Sequence, residues 1–128
     1  MPLLYAIIGG GIGSGLRYLM TDWTHKQAAG VFPWGTLWVN LLGSFIIGIL
    51  WELSERISIA PDLRVFVLVG ILGGFTTFSS YALETIHLFR AGETGYALVN
   101  IITANLLGLV LVVAGVVISK QILSLLLK

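Results

Sequence analysis

Between Gly73 and Thr85 the chain reads GGFTTFSSYALET, where two adjacent glycines, six hydroxyl side chains and one carboxylate fall within thirteen residues. The flanks, VFVLVGIL and IHLF, are strongly apolar, so these polar groups sit where lipid makes them most costly. A hydroxyl that bonds back to its own helix explains one such residue, but not six beside a Glu and a Gly-Gly pair. On a helix Phe78 and Tyr81 share a face, with Ser80 beside it and Glu84 one turn on. Aromatic edges are electropositive and hydroxyls are donors. Together they line a route for an anion without any fixed positive charge. Gly73-Gly74 and Thr76-Thr77 are poor helix formers, and the spacing predicts a local break there. Such a break frees carbonyls from the first half-helix and N–H groups from the second, which are ligands for a cation and an anion respectively.

Other polar residues fall at membrane depth. Arg17 ends an apolar run and reads either as an interfacial anchor or as a functional group. Asn40 lies deeper and reads either as hydrogen-bonding glue between helices or as a donor in a pore. Asn100 and Asn105 are expected to be packing or capping groups. His25 and His87 have no carboxylate or second His at metal-ligand spacing, so both read as interfacial. Gly9 with Gly13, Gly11 with Gly15, and Gly70 with Gly74 form small-xxx-small patterns that allow helix backbones to approach closely. GGGIGSG lacks the Lys-Ser/Thr of a phosphate loop, and no strand precedes it.

These residues need elements long enough to hold them in lipid. The chain of 128 residues is 57% hydrophobic and 10% charged, where a soluble domain carries about a quarter charged residues. An integral membrane protein is expected. Four apolar stretches approach the ~20 residues of a helical crossing, at about 3–20, 36–53, 65–89 and 96–118. They do not alternate as barrel strands do. The connections are short, so the chain is a single all-α membrane domain of four helices, the third broken. Trp23 and Trp34 suit the interfacial belt. The first segment has no basic residues ahead of it and is expected to be retained rather than cleaved. A net charge of +1 points to no nucleic acid, and the lack of cysteine excludes disulfides, thiolate metal sites and thiol catalysis.

Four spans put both termini and the second connection on one side, with Arg56, Arg64, Lys120 and Lys128. The other side has Arg17, Lys26 and Arg90. Four against three is almost no positive-inside bias, which allows either one orientation set by other features or insertion both ways, with two copies pairing antiparallel.

GGFTTFSSYALET closely resembles the third-helix signature of the Fluc (CrcB) fluoride channel family. GTLWVN at Gly35 to Asn40 resembles that family's second-helix motif, and the glycine-rich run ending in GSGLRY at Tyr18 its first. The three are co-linear and cover essentially the whole chain. The resemblance implies an antiparallel homodimer in the cell (inner) membrane, with two pores that pass fluoride passively out of the cytoplasm and protect against its toxicity. It implies that Asn40 is a pore donor and that Phe78 lines the path. Thr77, Ser79 and Ser80 match the polar stretch, Tyr81 the second ring, and Glu84 the vestibule carboxylate. Thr36 and Arg17 match positions near the pore and the interface. It also implies a structural sodium ion at the dimer centre, held by backbone carbonyls at Gly73 and Thr76. Two positions depart from the pattern. Tyr81 stands where the best-known members have Phe, and Ala104, Gly108 and Val112 replace hydroxyl residues that line the path in some members.

The alternative is a small dual-topology, proton-coupled multidrug exporter. That class needs a deep carboxylate in the first span, which has none between residues 3 and 20. A membrane scaffold subunit would need only the glycine packing. An enzyme is not expected, since no nucleophile–base pair or metal cluster can be assembled.

Overall fold

The computed structural model describes residues 1–126, and Lys128, counted above among the basic residues, lies outside them. Every regular element among the described residues is helical. We label them α1 (Pro2–Gln27), α2 (Trp34–Arg56), α3 (61–75), α4 (Phe78–Arg90) and α5 (Thr94–Leu126). With α3 and α4 taken as one run, four segments are long and apolar enough to cross a bilayer. The protein is a multi-pass membrane protein.

The helices outrun the apolar stretches that announced them. α1 continues past Met20 to Gln27, through residues read as a connection. Thr21 Oγ1 and Thr24 Oγ1 donate to the Arg17 and Met20 carbonyls at 2.9 and 2.7 Å, and Lys26 pairs with Asp22 at 2.6 Å. Polar side chains thus satisfy themselves locally and let the helix run into the interface. α5 likewise continues past Ile118 to Leu126, where Ser119 and Leu123 remain buried. Hydropathy marks the part of a helix that lies in hydrocarbon, not the part that is helical.

Two tightly packed helix pairs carry the architecture. α1 lies along α3, and α2 along α5; α1 and α2 join the pairs, and α4 rests on the first turns of α5. Small residues set both contacts. A Cβ at Gly13 would collide with the Ile71 carbonyl, and one at Gly70 would come within 2.8 Å of Gly9 Cα. The patterned glycines of α1 and α3 therefore face each other, whereas Gly11 and Gly15 meet nothing within 4 Å. Between α2 and α5, Gly48 abuts the Val112 carbonyl and Gly115 the Phe45 carbonyl. Residues 65–72 and 103–107 wind more widely, with π-helical turns in α3 and α5.

Buried polar residues fix the register. Asn100 is 1% exposed and donates to Thr85 Oγ1 at 3.0 Å, tying α5 to α4. This is the packing role expected for it. At the far end of α2, buried Glu52 accepts from Arg56 Nε at 2.5 Å and lies 4.0 Å from Lys120 Nζ of α5.

Candidate functional site

The site is built around two residues that are not helical. α3 stops at Phe75, Thr76 takes φ −82°, ψ 156° and Thr77 φ −150°, ψ 121°, and α4 begins at Phe78. The interruption follows the glycines instead of occurring at them. Gly73 is helical at φ −64°, ψ −34°, and Gly74 backs onto Gly10 of α1. Close approach explains Gly74 but not Gly73, where an added Cβ would meet nothing within 4 Å; the threonines leave the helix.

Asn40 of α2 holds them there. Its Nδ2 donates to the Thr77 carbonyl at 2.9 Å and its Oδ1 accepts the Thr77 N–H at 2.8 Å, so one carboxamide satisfies both backbone groups of an extended residue. Thr77 then caps α4: its Oγ1 accepts the Ser80 N–H at 3.2 Å and donates to Ser80 Oγ at 3.1 Å. In an unbroken helix the Thr77 N–H would bond to the Gly73 carbonyl, and the Ser80 N–H to the Thr76 carbonyl. Both amides are diverted, so both carbonyls lose their helical donors. A peptide oxygen with no donor is a hard ligand suited to a small cation.

The interruption lines a cavity of about 230 Å³, shared by Asn40, Thr76, Thr77, Phe78, Tyr81, Ala104 and Asn105. The Phe78 and Tyr81 rings stand 5.5 Å apart, tilted by 54°. Phe78 is 77% exposed on this chain. Asn105 was not singled out by sequence reasoning as more than a packing group, yet its Nδ2 reaches Tyr81 Oη at 2.9 Å. Its polarity in an aliphatic span was the available signal; its partner on another helix was not visible.

A second cavity, of about 440 Å³, also borders Thr77 and takes in Arg17, Thr36, Ser80 and Glu84. Glu84 Oε1 accepts from Thr36 Oγ1 at 2.8 Å, while Glu84 Oε2 is buried without a hydrogen-bond partner among the described residues. His25 borders this cavity, and His25, His87 and Glu84 all border a third of about 310 Å³. The histidines read as merely interfacial thus share space with the carboxylate. Among the described residues, Arg17 makes no ion pair. Gly73 and Ser79 line none of these three cavities; both are exposed, with Ser79 Oγ 3.4 Å from Thr77 Oγ1. Asn40, Thr76, Thr77, Phe78 and Tyr81 meet in the first cavity, and Arg17, Thr36, Ser80 and Glu84 in the second, with Thr77 common to both.

The sequence that builds this arrangement has relatives among known proteins. The family model described as CrcB-like protein, Camphor Resistance (CrcB), matches residues 4–116. The chain belongs to the CrcB family. A relative from Parabacteroides distasonis is 44% identical over 118 residues, covering 92% of each chain. One from Thermus thermophilus is 45% identical over 112 residues, 88% of each chain. One from Magnetococcus marinus is 41% identical over 123 residues, covering 95% of this chain and all of the relative. All three relatives bear the name fluoride-specific ion channel FluC. CrcB membership thus covers every segment that forms the two cavities.

Proposed function

We propose that the protein is a fluoride-selective passive channel that lets fluoride leave the cytoplasm across the cell (inner) membrane. The observation that carries this reading is the convergence of the Asn40 amide, the Phe78 and Tyr81 rings and the Thr77 hydroxyl at one interruption, in a family whose relatives are named fluoride-specific channels. Fluoride is small, strongly hydrated and a strong acceptor, so a narrow path must replace its water with several donors at close range. Asn40 retains one N–H beyond the one it gives to Thr77. Ser80, whose Oγ accepts from Thr77 and keeps its own proton, continues the donor series toward the cavity of Thr36, Glu84 and Arg17, which serves as a vestibule. Chloride, larger and a weaker acceptor, gains less from the same groups.

The working unit in this reading is an antiparallel homodimer with two pores. Exposed Phe78 and the open glycine face of Gly11 and Gly15 support it, since both offer surface for a second copy. The carbonyls of Gly73 and Thr76 fit a structural sodium ion, because each has lost its helical donor. When bound, the ion would supply positive charge that ties the two interrupted helices together. Ser79, exposed beside Thr77, would join the polar stretch once a second copy covers it. The exporter alternative is disfavoured further: the lengthened α1 does include a carboxylate, Asp22, but it lies in the helix's last turns, paired with Lys26.

The test is anion efflux from liposomes containing the purified protein, with an ionophore to balance charge. Rapid loss of fluoride with negligible loss of chloride is expected. An absence of fluoride flux, or flux that requires a proton gradient, overturns the reading.

A further inference from the structure

The fluoride route leaves open what the replacement of Phe by Tyr81 does, and what α5 contributes with Ala104 in place of a hydroxyl. Asn105 Nδ2 lies 2.9 Å from Tyr81 Oη and 2.8 Å from the carbonyl of Ile101, one turn back on its own helix. A peptide carbonyl only accepts, so the nitrogen end of the Asn105 side chain must face it, which fixes the orientation of the carboxamide. One N–H then serves Ile101 and the other serves Tyr81. The Tyr81 oxygen is thereby an acceptor toward Asn105, and its own proton must point elsewhere. Both residues line the cavity that holds Asn40 and Phe78, and no other partner occupies the Tyr81 hydroxyl among the described residues.

Resting on the channel reading, we infer that Tyr81 donates its phenolic O–H to fluoride, and that Asn105 is the positioning residue that keeps this proton turned into the cavity. A hydrogen bond from O–H to an anion is charge-assisted and short, and it favours the smaller, stronger acceptor. α5 thus serves the anion indirectly, through a carboxamide that orients a donor on α4. Ala104 leaves room beside the pair, where a larger side chain would fill the cavity.

The experiment compares initial fluoride efflux for Tyr81→Phe, Asn105→Leu and the double variant with the unmodified protein, each at equal density in liposomes. Tyr81→Phe keeps the ring and its contact with Phe78, and Leu keeps the branched side-chain skeleton of Asn, so neither opens a cavity. Loss of a donor to a charged partner should slow fluoride efflux about tenfold in Tyr81→Phe. Asn105→Leu should be slowed comparably when Tyr81 is present and add nothing when position 81 is Phe. That dependence on background separates orientation of the hydroxyl from support of the helix, which would slow both backgrounds alike. Unchanged efflux in Tyr81→Phe, unchanged efflux in Asn105→Leu, or an Asn105→Leu loss that persists beside Tyr81→Phe overturns the inference. Failure of the unmodified protein to pass fluoride strikes the channel reading instead, so the two failures are distinct.

Discussion

Asn40 occupies a position where one substitution separates two roles. Its carboxamide presents a donor to the Thr77 carbonyl and an acceptor to the Thr77 N–H at the same time. An Asp there would keep the acceptor and turn its second oxygen against the carbonyl, leaving that carbonyl unsatisfied and adding negative charge to an anion path. Asn40→Asp is expected to abolish fluoride flux and to lower stability by about 1–3 kcal/mol, read as a drop in the thermal unfolding midpoint in detergent. Loss of flux with an unchanged midpoint would mean that the clamp on Thr77 contributes nothing and that Asn40 acts only on the ion. The clamp was beyond the reach of sequence reasoning, because its partners are 37 positions apart and one of them is backbone. What the residue types did convey was the pair of possibilities, glue or donor. The geometry shows the glue, and the second N–H is left over for the donor role proposed above.

Among the elements, helix count and the small-residue faces are legible in the sequence, whereas helix ends and the point of interruption are only half so. Gly-Gly and Thr-Thr both weaken a helix, and propensity cannot tell which of them yields. Tertiary contact decides: Gly74 is pressed against α1, while Thr77 finds its backbone partners on α2. The same logic makes the α2–α5 seam sensitive to volume. A Cβ at Gly48 meets the Val112 carbonyl, which cannot move without moving α5. Gly48→Val is therefore expected to destabilise by about 1–3 kcal/mol through overpacking. Gly95→Ala, where an added Cβ meets nothing within 4 Å, should leave the unfolding midpoint unchanged or raise it. Equal midpoints for the two variants would show that the seam is loose enough to absorb a branched side chain.

Over the whole molecule, the proposed antiparallel pair requires that copies insert in both directions, and the charge balance permits it. Among the described residues, Arg56, Arg64 and Lys120 fall toward one end of the spans, against Arg17, Lys26 and Arg90 toward the other. Ion pairs further mute these charges, since Arg56 binds Glu52, Arg64 binds Glu55 at 2.7 Å and Lys26 binds Asp22. The absence of cysteine makes a single introduced thiol a clean reporter of orientation. Ser58, exposed in the short connection between α2 and α3, is a suitable place for it. In spheroplasts treated with a membrane-impermeant thiol reagent, about half of the Ser58→Cys protein should be labelled, and lysis should expose the rest, because near-neutral bias sends copies both ways. Labelling of all copies or of none before lysis would establish a single orientation, and an antiparallel pair could not then form. The fluoride reading would have to stand on a parallel or monomeric path, in which the carbonyls of Gly73 and Thr76 could no longer meet their counterparts around one ion.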